Sequence, residues 1–140
     1  MTYSELKSLT SGLLTGDTLL PLDPEVLKGL VQYALNTVAT QADSLHLRTL
    51  NKDADILRLA QGDYFIRTPQ TPDKDTDFID IDEELTFAVA RYLASYISKE
   101  KSIFHMKEAD RIIKDYNSKV YEVTNEIAIK DDNTGVIYAF

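Results

Sequence analysis

GDYFIRTPQTPDKDTDFIDIDEELTFAVARYLASYISKEK, residues 62–101, holds three kinds of local structure in succession. Its first residues, Asp63-Tyr64-Phe65-Ile66-Arg67, follow Ile56-Leu57-Arg58-Leu59 across Gln61-Gly62, a pattern that predicts a β-hairpin centred on Gly62. Pro69 and Pro72 then keep the chain extended, because each proline disfavours the helical conformation in the residue before it. Asp82 is placed to start a helix as its N-cap, with Glu83 and Glu84 at the positive end of the dipole. Leu85, Ala88, Val89, Tyr92, Leu93 and Tyr96 recur at helical spacing and form its buried stripe.

The same signals organise the flanks. Residues 4–14 read as a short helix capped by Ser4, with Leu6, Leu9, Leu13 and Leu14 on one side. Asp23-Pro24 supplies an N-cap and a proline at the first helical position, and Val26, Leu27, Leu30, Val31, Ala34, Leu35 and Val38 carry that helix to about Gln41. Gly29 inside it predicts close packing against another element. Ser102 opens a fourth helix over about 103–124, through Phe104, Ala109, Ile112, Ile113, Tyr116, Val120 and Val123. Beyond it, Ile127 and Ile129 alternate with polar neighbours, Asp131 to Gly135 reads as a turn, and Val136-Ile137-Tyr138-Ala139-Phe140 has high β-propensity. The expected fold is mainly α: one domain over residues 1–140, a small helical bundle over about 4–124 with a central β-hairpin and extended loop, and a C-terminal β-hairpin arm over about 126–140.

Composition narrows the function classes. The chain of 140 residues has no cysteine, which removes disulfide frameworks and thiolate metal sites. Glu5 and Lys7 interrupt the start where a signal peptide needs an apolar run, so a soluble protein made in a cytoplasm is expected, with no membrane partner. A net charge of −8 repels phosphate backbones, and the basic residues Lys99, Lys101, Lys107 and Arg111 are interleaved with Glu100, Glu108 and Asp110. Sequence-specific nucleic-acid binding is not expected. His46 and His105 belong to no metal or acid/base motif, and the five glycines form no phosphate-cradling loop. No catalytic constellation is present, so enzyme activity and a bound cofactor are not expected. Asp73, Asp75, Asp77 and Glu84 fall at the first, third, fifth and twelfth places of a calcium loop, but Phe78 stands where such a loop needs glycine. The bland alternative is that Asp82 to Glu84 cap a helix while Asp73 to Asp77 stay solvated.

The order of features is similar to one known family. Two helices, a hairpin ending in YFIRTP, an acidic loop, DEELTFAVARYLASYISKEK and a long helix with IIKDYN resemble the small helical connector or adaptor proteins of tailed bacteriophages, across roughly residues 20–125. The resemblance lies in pattern, with no single diagnostic motif. It implies a ring-forming head-to-tail connector in the virion neck, assembled in the host cytoplasm, whose partners are copies of itself, the portal protein and tail or neck proteins, with DNA passing through the lumen. It carries no catalytic residues over. On this reading Tyr64, Phe65 and Arg67 of the central hairpin, Phe78 of the 69–81 loop, and Val136, Ile137, Tyr138 and Phe140 of the terminal strand contact neighbours, the last group by strand addition. The alternatives are a helical protein-binding or regulatory module and a calcium-binding protein using residues 73–84.

Overall fold

The computed structural model describes residues 1–15, 18–60 and 64–133, with side chains to residue 121. In chain order the elements are α1 (Tyr3–Leu13), α2 (Pro24–Gln41), β1 (Arg48–Thr49), β2 (Ile56–Leu59), β3 (Phe65–Arg67), α3 (Glu83–Ile97) and α4 (Ser102–Asn133). The architecture is mainly α with one small antiparallel sheet.

The N-cap of helix α1 lies two residues before the expected Ser4. Thr2 is the N-cap: its hydroxyl accepts from the Glu5 N–H while the Glu5 carboxylate accepts from the Thr2 N–H, a reciprocal capping box. Helix α2 begins as its sequence predicts, with Asp23 Oδ1 accepting from the Glu25 N–H at 3.0 Å and Pro24 at the first helical position. It buries Leu27, Val31, Ala34, Leu35 and Val38. Gly29 departs from expectation. A Cβ built there meets nothing within 4 Å, so close packing is not the reason for this glycine.

Helix α3 is the centre of the bundle, packed by α1, α2 and α4. Three neighbours leave it little solvent-facing surface, which accounts for its alanines: Ala88, Ala90 and Ala94 let surrounding helices approach while Leu85, Val89 and Leu93 fill the gaps between them. Each fully buried Leu or Val contributes about 1.5–3 kcal/mol of transfer free energy. Tyr92 and Tyr116 belong to the same core, as the stripe pattern predicts, and Tyr96 packs against it.

The sheet has the order β1-β3-β2, so β3 lies in the middle. The hairpin predicted across Gly62 is formed by β2 and β3, with Leu59 opposite Phe65 and an irregularity between Ile56 and Arg58. Strand β1 adds to the other edge, pairing Arg48 with Ile66 and Thr49 with Phe65. Central placement buries Ile66 completely.

The largest difference from expectation is at the end of the chain. The residues read as the first strand of a terminal hairpin, and Asp131 to Asn133 of its expected turn, are helical, because α4 continues without a break to Asn133; Thr134 and Gly135 lie outside the described residues. The sequence contains no glycine or proline between Ser102 and Asn133, and Gly135 is the first breaker it meets. Val136 to Phe140 lie outside the described residues. Among the described residues no helix is long and apolar enough to cross a membrane.

Candidate protein–protein interface

The acidic loop between β3 and α3 is held by two carboxylates with different partners. Asp80 receives both ends of the Arg67 guanidinium, at 2.5 and 2.8 Å, together with the Gln70 N–H at 2.9 Å and His46 Nε2 at 2.8 Å. Burial by itself would raise its pKa; hydrogen bonds from Arg67, Gln70 and His46 outweigh it and hold the carboxyl well below the usual range. Asp82 sits at the N-cap of α3 but makes no side-chain cap hydrogen bond. Its oxygens instead accept from the His46 N–H and the Tyr116 hydroxyl, each at 2.7 Å, and Tyr116 in turn accepts from the Leu45 N–H at 2.9 Å. Burial, and after it the bond to Asp82, push the Tyr116 phenol well above its ordinary value. One relay thus joins the approach to β1, the start of α3 and the middle of α4.

The residues matching a calcium loop are dispersed. Asp73 pairs with Lys28 at 3.0 Å and Asp75 with Lys7 at 2.6 Å. Asp77 accepts from the N–H groups of Lys74 and Asp73, which lower its pKa. Among the described residues no group of three or more His, Cys, Asp or Glu side chains is arranged to hold a metal ion.

The residues expected to meet neighbours fall in separate places. Arg67 is committed to Asp80 within its own chain. Tyr64 is partly exposed beneath the Arg48 guanidinium, 5.7 Å from its ring centre. Phe65 is half-buried on the middle strand. Phe78 is 75% exposed although its backbone bridges to Thr2, so its ring stands free on a fixed backbone. Val136, Ile137, Tyr138 and Phe140 lie outside the described residues.

A further apolar surface, absent from the expected interface, lies where α1, α3 and α4 meet. Leu9 and Leu13 of α1, Phe87 of α3 and Ile112 of α4 line a groove of about 420 Å³. Its rim carries two carboxylates, Glu84 and Asp115, and two cations, Arg91 and Lys119; Lys119 meets Glu84 at 3.4 Å, and Asp115 meets Arg111, just outside the groove, at 3.5 Å. Arg91 lies at the edge, its guanidinium 5.6 Å from the ring centre of Phe104, which extends the apolar surface towards the start of α4. The same guanidinium donates to His105 Nδ1 at 3.1 Å. Because arginine can only donate, the buried imidazole carries its proton on Nε2, which has no hydrogen-bond partner among the described residues. Burial, then the nearby charges of Arg91 and Lys101, lower the His105 pKa. The signal for this groove was Phe87 itself: it lies off the stripe of Leu85, Ala88, Val89, Tyr92 and Leu93, with Arg91 one turn further along the same face.

The fold and its surfaces define a mainly α protein with an apolar three-helix groove and a fourth helix longer than its neighbours. Searches against family models, curated proteins and solved structures find no match for this chain.

Proposed function

We propose that this chain is a structural subunit that assembles into a ring, as the head-to-tail connector of a tailed phage, between the portal and the tail. The observation that carries the reading is the length of α4. Lys119 lies beside Glu84, at the start of α3, yet α4 runs on to Asn133, about 21 Å further at ~1.5 Å per residue. A helix that outruns its own bundle is suited to contact another molecule. The exposed rings of Phe78, whose backbone bridges to Thr2 ahead of α1, and of Phe87, beside Leu9 and Leu13 of α1, add apolar surface at two places, and a ring subunit needs two unlike faces. A net charge of −8 suits a lumen along which DNA slides without adhering.

The experiment is affinity purification of the tagged full chain from infected cells, with the co-purifying chains identified by mass spectrometry. A portal or tail protein is the expected companion, and its side of the neck would identify the layer. Recovery of host metabolic or regulatory proteins alone overturns the virion reading. Retention on DNA at physiological salt by the purified protein would count against an acidic sliding surface.

A further inference from the structure

We infer that the groove between α1, α3 and α4 receives the Val136-Ile137-Tyr138-Ala139-Phe140 segment of a second copy of this chain. The inference rests on the ring reading and names the joint between its subunits. Three observations support it.

The first is the groove's chemistry. Leu9, Leu13, Phe87 and Ile112 present an apolar floor, and Phe87 is 47% exposed, so a ring that could have been buried is left half in water. A volume of about 420 Å³ lies within the range of clefts that bind small molecules or side chains. The second is charge. The charged residues that line the groove are two cations, Arg91 and Lys119, and two carboxylates, Glu84 and Asp115, so it offers no net charge to attract an acidic or basic peptide. The segment 134–140, TGVIYAF, has no charged side chain, and Ile137, Tyr138 and Phe140 supply large apolar groups.

The third is reach, which decides between the chain's own segment and that of a neighbour. Asn133 lies about 21 Å beyond Lys119 at the near rim and about 32 Å beyond Ile112 on the floor, at ~1.5 Å per helical residue. Fully extended and turned straight back, residues 134–140 span at most about 25 Å. Phe140 would then just pass Lys119, and Val136 to Tyr138 would still lie outside the groove. The chain cannot fill its own groove with this segment while α4 is intact. A second copy can, and its α4 supplies the distance between the two bundles. Groove on one copy and segment on the next form a head-to-tail contact, which closes into a ring when the rotation per subunit permits.

Two full-length variants test the joint. Phe87→Glu spoils the groove and leaves the segment; Tyr138→Asp spoils the segment and leaves the groove. Thermal unfolding checks that both fold. Wild type should form oligomers larger than a dimer by native mass spectrometry, each variant alone should be monomeric, and an equal mixture should give a one-to-one dimer through the single intact joint. In wild type carrying a photo-crosslinker at position 138, the crosslink should join two copies and map to α1, α3 or α4. If both variants keep the wild-type oligomer, the groove is not the joint and the ring reading survives. A crosslink within one copy, or to a different protein, overturns the inference by naming another occupant. A wild-type chain that is monomeric at every concentration overturns the ring reading and the joint together.

Discussion

Asp80→Asn isolates what the loop before α3 contributes to the fold. In wild type the carboxylate accepts from Arg67 twice, from the Gln70 N–H and from His46. Asparagine keeps the shape but removes the charge, and turns an NH₂ group towards donors. Breaking a buried pair by changing one partner costs about 3–5 kcal/mol. Here the side chains are 20% and 29% exposed, so water recovers part of that and the expected loss is about 2–3 kcal/mol. With an unfolding entropy of ~2.1 cal/mol/K per residue over 140 residues, Tm should fall by about 7–10 °C. The pH dependence has a definite sign. The folded-state pKa of Asp80 is lowered, so its contribution is fully present above the unfolded value of ~3.9 and is lost as pH falls from there towards the folded value. Protonated Asp80 resembles asparagine, so the Tm gap between wild type and variant, constant above about pH 5, should narrow steadily towards pH 2.5. Circular dichroism melts across that range measure it. The other carboxylates titrate in both proteins and cancel in the difference. A Tm loss under about 2 °C at pH 7, or a gap that does not narrow in acid, would refute the reasoning.

Gly29→Ala should stabilise by about 0.5–1 kcal/mol in urea unfolding, since a Cβ there meets nothing and alanine is the better helix former. A destabilised variant would mean that α2 needs the glycine for a reason other than space. Leu93→Ala, at a fully buried position of the central helix, should cost about 2–5 kcal/mol with an unchanged urea m-value; a loss below 1 kcal/mol would show that α3 is not the centre of the core. His105 has a lowered folded-state pKa, so the unfolded chain takes the extra proton: stability should decline as pH falls below about 6.5 and level off below the folded value. His105→Phe should flatten that part of the profile relative to wild type, and an unchanged slope would rule out the buried imidazole as its source.

The helices were the most legible part of the fold because their signals are local. Asp23-Pro24 marks the start of α2 to the residue, since an oxygen acceptor and a fixed φ do the same work in any context. Thr2 and Glu5 stand at capping-box spacing and could have been chosen over Ser4 from the sequence alone. The first strand of the expected terminal hairpin failed for a physical reason: Ile127-Ala128-Ile129-Lys130 alternates over only four residues, too few to separate a strand from one turn of a helix. Asp131, Asp132 and Asn133 suit a turn but do not force one, and a helix already running through more than twenty residues extends more cheaply than a new hairpin starts. Strand β1, two residues long, had no signal of its own because its partner lies across the sheet in β3.

The candidate interface was legible in proportion to how little of the chain had to fold before its residues acquired neighbours. Arg67 reads as a free cation on a short strand, and only the return of the chain through Pro69 and Pro72 brings Asp80 to it. Asp82 reads as a cap, but the stronger claim on its carboxylate comes from Tyr116, a residue 34 positions away on α4. These acids therefore act as ties between distant elements, and the acidic run that resembled part of an ion site is distributed among Lys28, Lys7, Arg67 and backbone amides. What those ties leave over is apolar. Phe78 is fixed by its bridge to Thr2 with its ring in solvent, and Phe87 stands half-exposed over Leu9 and Leu13. In a chain of net charge −8, exposed rings on rigid backbone are apolar surface that a complementary partner would cover. On the proposed ring reading, copies of the same chain would supply that surface uniformly, each offering the groove on one side and the apolar segment on the other.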